Sequence, residues 1–295
     1  MNQRYKFDRY KGDGTAPRDA APISRDAHGV YLADSKLVVS VNTALAVEQP
    51  LLVTGDPGSG KTTLAWSIAS ELGWGQVLEF HTRSDHMAID TFYHFDSMRR
   101  FYHAQTKQSD ADDPENYVSY RALGLAIQSK TPRVVLIDEI DKAPRDFPND
   151  LLDEIEQMAF SVKETGKVFK ATHRPFVVIT SNSERHLPDP FLRRCVFHHI
   201  EFPKPEALKQ ILHQRLGPVD TGQQLIDVAI DRFMELRALP GTQKKPSTGE
   251  LVVWVRALLR AGVDADNLKK SPLSEMTALG ALIKNQKDLT RVQAV

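Results

Sequence analysis

The chain has 295 residues, 41% hydrophobic and 26% charged, with 38 Lys plus Arg balanced by 38 Asp plus Glu. This mixture can bury the core of one large or two smaller domains, and zero formal net charge counts against a protein built mainly to hold duplex nucleic acid or an anionic membrane. The single cysteine, Cys195, excludes an intramolecular disulfide and a multi-cysteine metal site.

Residues 1–25 alternate charges, Gly and Pro, and are expected to form a poorly ordered arm or one laid on the surface. They contain no apolar run of the signal-peptide kind, and no segment approaches 18 apolar residues, so a cytoplasmic protein without a membrane span is expected. Asp34 is positioned to cap a helix running to about Val47, with Leu37, Val38, Val41 and Leu45 on one face. Leu51–Val53 reads as a short buried strand leading into a glycine-rich loop. Thr62 to Leu72 reads as a helix with Gly73 as its stop. Gln76 to Phe80 reads as a second strand, and an aromatic cluster (Phe92, Tyr93, Phe95, Phe101, Tyr102) and a polar run (105–116) follow.

A helix over 120–129 leads to the strand Arg133–Ile137, which ends in Asp138-Glu139-Ile140-Asp141. A helix is predicted over Phe147–Met158, and a β-hairpin over Phe160–Lys170 turning at Gly166. The β-branched strand Phe176–Thr180 ends at Ser181-Asn182. Strands alternating with helices imply an α/β fold, a parallel sheet covered on both faces. Beyond Pro205 only helices are expected, near 206–216, 222–238, 247–261 and 272–286. The expected organisation is an arm over 1–25, an αβα domain over 26–205 and an all-helical domain over 206–295.

Gly55-Asp56-Pro57-Gly58-Ser59-Gly60-Lys61-Thr62 matches G-x-x-x-x-G-K-[ST] without a mismatch. The glycines let backbone N–H groups converge on a phosphate, Lys61 bridges the β- and γ-oxygens, and the Thr62 hydroxyl ligates Mg²⁺. The loop with Thr63 is therefore the predicted ATP contact. Val134–Ile137 delivers Asp138 and Glu139 at the sheet edge where ligands bind in open α/β sheets. Asp138 is expected to orient the Mg²⁺ shell, and Glu139 to act as general base toward water. Asp141 either joins them or caps the next turn. The Asn182 amide is placed to hold the lytic water, although Asn also favours turns. Arg193 and Arg194 either form surface salt bridges or neutralise phosphoryl charge from a neighbouring subunit.

These elements in this order, followed by helices, resemble the AAA+ ATPases, and within them the MoxR branch, over nearly all of residues 30–290. GDPGSGKT is similar to Walker A, VVLIDEID to Walker B, ITSN ending at Asn182 to the sensor 1 strand, and LPDPFLRRC to the arginine-finger segment. The resemblance implies a P-loop αβα core with a helical lid, ATP and Mg²⁺ as cofactors, and a ring, expected to be a homohexamer. It implies Arg194, with Arg193 as second choice, as the finger. Residues 81–103 and 159–175 resemble MoxR inserts that face the ring axis and engage partners; for Phe92, Tyr93 and Phe95, partner engagement and ordinary packing are both open. The family's lid arginine is missing from Pro246–Glu250, where Ser247-x-x-Glu250 forms a capping box, and Arg256 lies more than one turn later.

The implied activity is ATP-driven remodelling of a protein substrate, in maturation, metal insertion or complex assembly, beside a von Willebrand factor A domain partner. Alternatives are a nucleic-acid motor or loader, a small-molecule phosphotransferase, and a nucleotide switch such as serves defence systems. The neutral charge and lack of an added nucleic-acid-binding domain argue against the first.

Overall fold

The computed structural model describes residues 9–15, 17, 31–106, 113–182, 185–217 and 223–294. Of the expected arm, residues 1–8, 16 and 18–25 lie outside the described residues, as does the start of the helix expected from 222. The chain divides into two compact units, Met1–Gly55 with Gly60–Ile200, and Asp56–Ser59 with Glu201–Val295.

In the first unit the elements run α1 (Ser35–Val47), β1 (Leu51–Gly55), α2 (Lys61–Leu72), β2 (Leu78–His81), β3 (Tyr93–Phe95), α3 (Ser97–Gln105), β4 (Val118–Tyr120), α4 (Ala122–Ile127), β5 (Val134–Asp138), α5 (Phe147–Asp150), α6 (Leu152–Gln157), β6 (Ala159–Ser161), β7 (Val168–Lys170), β8 (Phe176–Ser181), α7 (Asp189–Leu192) and β9 (Val196–Ile200). Five strands form one sheet in the order β2-β5-β8-β1-β9, and all neighbours are parallel. Alternation along each strand feeds two cores. Leu51, Val53, Val134, Leu136, Phe176 and Val178 pack with α1 and α2, while Leu52, Val135, Ile137, Val177 and Ile179 pack with α4, α5 and α6. Burial on both faces is why these strands read as unbroken apolar runs. Each such fully buried aliphatic side chain contributes about 1.5–3 kcal/mol.

Of the two alternatives for the arm, its described part is laid against the fold rather than loose: Tyr10 is buried, its N–H donates to Asn42 Oδ1 at 2.9 Å, and its hydroxyl meets Ser67 Oγ at 2.9 Å. Glu71 accepts the N–H groups of Lys11, Gly12 and Gly14, so side chains supply partners that a loop backbone lacks. The strand β9 has no counterpart among the expected elements, because His198 and His199 break its apolar pattern. It is a sheet edge whose residues alternate between burial and exposure, and His198 turns inward to Ser40 at 3.0 Å. The helix expected over 147–158 is interrupted at Leu151, although Leu151, Leu152 and Ile155 remain buried.

The aromatic cluster packs only in part. Phe92 and Tyr93 are buried, and Phe92, Phe160 and Phe169 stack at 5.2 and 5.1 Å between ring centroids. Gly124 on α4 is required here, because a Cβ would lie 2.1 Å from the Phe92 carbonyl oxygen. What the segments 81–103 and 159–175 expose instead is Met87, Met98, Phe101, Tyr102 and Val168.

The second unit contains α8 (Pro205–Leu216), α9 (Gln223–Ala238), α10 (Thr248–Arg260), α11 (Ala265–Lys270) and α12 (Gln286–Gln293). Its core is built on Leu208, Ile226, Phe233, Leu251 and Trp254, whose indole N–H donates to Thr277 O at 2.8 Å. The helix expected over 272–286 is absent. Leu273, Met276, Leu279 and Leu282 recur every three residues, and the chain forms 3₁₀ turns at Leu273–Glu275 and Leu279–Ala281. A three-residue apolar spacing suits the 3₁₀ period rather than 3.6. Among the described residues no helix is long and apolar enough to cross a membrane.

Candidate nucleotide-binding and hydrolysis site

At the carboxyl end of β1 the chain turns through glycines in backbone states closed to most residues: φ is 148° at Gly55 and 94° at Gly60. A Cβ on Gly60 would also press on the Tyr31 ring at 3.1 Å. The helix α2 begins at Lys61, one residue earlier than expected. Lys61 is only 6% exposed and donates from Nζ to Gly55 O at 2.8 Å, which holds the ammonium across the loop. Thr62 follows on the first turn, with Thr63 beside it. The loop residues Asp56, Pro57, Gly58 and Ser59 group with the second unit, and Ser59 Oγ is buried without a hydrogen-bond partner among the described residues.

At the end of β5, Asp138 and Glu139 stand in line with that turn. Thr62 Oγ1 donates to Asp138 Oδ1 at 3.2 Å. Glu139 sits in the left-handed region at φ 56°, unusual for a residue with a Cβ and costing about 1–2 kcal/mol. The compensation comes from Thr180 on β8: its Oγ1 accepts the Glu139 N–H at 2.9 Å and donates to Asp138 Oδ1 at 2.6 Å. One buried hydroxyl therefore fixes both acids. Asn182, just past β8, donates from Nδ2 to Glu139 Oε1 at 2.9 Å, and Lys142 Nζ donates to Glu139 Oε2. Asp141 is buried and accepts the Asn182 N–H at 3.3 Å, so it braces the cluster rather than joining it. His81 at the end of β2 approaches Asp138 Oδ2 at 3.4 Å and Glu79 at 3.2 Å.

The sequence reasoning missed Thr180 and His81. The available signal for Thr180 was a hydroxyl directly after the apolar run Phe176–Ile179 in a fully buried strand, two residues before Asn182. Thr180→Val should preserve the volume but leave the Glu139 N–H without its acceptor. We expect a loss of about 1–3 kcal/mol in unfolding free energy, measured by urea denaturation, together with slower ATP hydrolysis. Unchanged values for both would remove Thr180 from the site.

Arg193 and Arg194 are not gathered into this cluster. Both are exposed after α7, and Arg194 Nε pairs with Glu156 at 3.5 Å on the surface. Cys195 is a poor nucleophile, since burial pushes its thiol up to about 12. In the second unit the capping box at α10 forms: Ser247 N–H donates to Glu250 at 2.7 Å, and Ser247 Oγ accepts the Glu250 N–H at 3.3 Å. Arg256 is exposed farther along the same helix.

The donors fit a magnesium nucleotide. Thr62 and Asp138 offer two oxygens close enough to serve one cation, and among the described residues no group of three or more His, Cys, Asp or Glu forms a cage of its own. Mg²⁺ is typically held by few protein oxygens plus phosphate and water.

A parallel sheet whose first strand runs through a glycine turn into a helix, with an acidic pair ending the strand two places away, defines the P-loop NTPase fold. The chain belongs to the family described as "ATPase family associated with various cellular activities (AAA)", which it matches over residues 51–204, more than half its length. Among solved structures it is similar to the FIGL-1 AAA domain in complex with ADP, at 15% identity and a TM-score of 0.41, covering 83% of this chain and 71% of that one.

Proposed function

We propose that this protein binds Mg²⁺-ATP and hydrolyses it to ADP and phosphate as a MoxR-type remodelling chaperone. The observation that carries the hydrolytic reading is the fastening of Glu139 by Asn182 and of Asp138 by Thr180 and Thr62, on the edge where Lys61 closes the glycine turn. Lys61 and the loop N–H groups bind the phosphates, and Thr62 and Asp138 hold the cation. Glu139 accepts the proton of a water that Asn182 helps to orient. The enzyme acts as a ring of identical subunits, with Arg194 reaching a neighbour's phosphates and Arg193 as the alternative. Its substrate is another protein, engaged by the exposed apolar side chains Met98, Phe101, Tyr102 and Val168 of the two inserts. A von Willebrand factor A domain protein is the partner class that the resemblance suggests.

Phosphate release from ATP, with and without EDTA, tests the catalytic part; no metal-dependent release would overturn it. Turnover stimulated by DNA, with affinity falling steeply with salt, would favour the nucleic-acid motor instead. For the shared site, Arg194→Ala should lose hydrolysis by about 100-fold or more, as expected for a finger contributing 10³–10⁵ where it is fully used. Mixing with the Glu139→Gln protein should restore activity, because each variant supplies what the other lacks. Absence of rescue at every mixing ratio removes the trans role.

A further inference from the structure

The phosphate loop carries an acid at its second position, Asp56, next to where anionic phosphates bind. A carboxylate there works against the site unless it is held and neutralised. The helical unit, to which Asp56–Ser59 belong, supplies a cation: Arg237 Nη2 on α9 donates to Asp56 Oδ2 at 2.8 Å. Arg237 is 7% exposed, whereas Asp56 is 51% exposed, so the arginine is the buried, fixed partner and the acid is the one brought to it. Its seat is built for a guanidinium. The Phe202 ring lies 3.4 Å below Cζ, Phe233 lies at 6.0 Å, and Nη1 donates to the Pro246 carbonyl. Aromatic faces and a fork of donors suit arginine and not lysine.

The same arginine thereby ties the loop to the start of α10. Gly58 runs against that helix end so closely that a Cβ would lie 2.6 Å from Ser247 Cβ and 3.2 Å from Thr248 N. The Thr248 hydroxyl there is buried without a hydrogen-bond partner among the described residues, as is that of Ser59. Two unspent donors and a helix N-terminus favour an anion, and Asp56 is the group that would oppose it.

We propose that Arg237 is a positioning residue for nucleotide: by gripping Asp56 it fixes the second residue of the phosphate loop and withdraws a negative charge from the phosphate cradle. This rests on the nucleotide-binding reading above. The test is the dissociation constant of Mg²⁺-ADP, measured calorimetrically on the full chain at two salt concentrations. Arg237→Gln keeps a donor for Pro246 O and should weaken ADP about tenfold, more at low salt, because the carboxylate loses its guanidinium. Adding Asp56→Asn to that variant should return affinity to within about threefold of wild type, an outcome that mere support of the helical unit by Arg237 cannot produce. Arg237→Lys keeps the charge but not the fork, and covers the case in which Arg237→Gln does not fold. It should weaken ADP about threefold, again with recovery on adding Asp56→Asn. Unchanged affinity in whichever variant folds, or equal weakening with and without Asp56→Asn, overturns the proposal. A wild-type chain that binds no ADP overturns the nucleotide reading instead.

Discussion

Glu139→Gln is expected to slow phosphate release from ATP by about 100- to 10,000-fold, the range that a positioned general base contributes, while ATP still binds. The amide has nearly the shape of the carboxylate, and its oxygen still accepts the Asn182 Nδ2 hydrogen bond, now 2.9 Å at Glu139 Oε1. The turn beneath it is held by the backbone N–H of residue 139 on Thr180, which the substitution does not touch. What disappears is the basic oxygen and the charge facing Lys142. Single-turnover phosphate release beside calorimetric ATP binding separates the two effects. Turnover close to that of the wild type in the Gln variant would sink the assignment of Glu139 as base, and lost binding would show that its role lies in holding nucleotide.

Lys61→Ala should have the opposite signature: nucleotide affinity falls by about 100-fold or more. A hydrogen bond to a charged partner contributes about 1.5–3 kcal/mol, and an ammonium bridging β- and γ-oxygens makes two. Alanine is the best helix former and Lys61 begins α2, so the helix should persist. The variant does lose the bond from Nζ to Gly55 O, a contact that orders the turn before nucleotide arrives. Fluorescence titration with a labelled, non-hydrolysable ATP analogue, with circular dichroism to check the fold, measures this. Affinity within about threefold of the wild type would mean that the phosphates bind elsewhere. Together the two variants split the site into a part that binds and a part that hydrolyses.

The extent to which these groups could be read in advance follows from how local their causes are. The glycine turn, the helix that follows it and the apolar strand carrying Asp138 each depend on a few consecutive residues, through left-handed φ angles and burial on two faces. Asp34 as an N-cap belongs to the same group: its side chain accepts the Leu37 N–H as the local pattern demanded. The strand β9 and the 3₁₀ turns after Pro272 were less legible. The first is an edge on which the apolar Phe197 is exposed and the polar His198 is buried, against the usual pattern, and the second has a three-residue period that resembles a helix only loosely.

The sequence by itself determined the class of chemistry. GDPGSGKT and the acidic end of β5 need only their own residues and their order, because strand, turn and helix are local consequences of the chain. Only the tertiary structure decided which groups hold those residues in place. Thr180 lies 42 residues from Asp138 and Arg237 lies 181 from Asp56. No spacing rule joins positions so far apart, and their contacts arise from strand order and helix packing. The aromatic cluster shows the same limit in reverse. Phe92 and Phe101 are alike as residues, and burial in one case and exposure in the other was settled by what each element packs against.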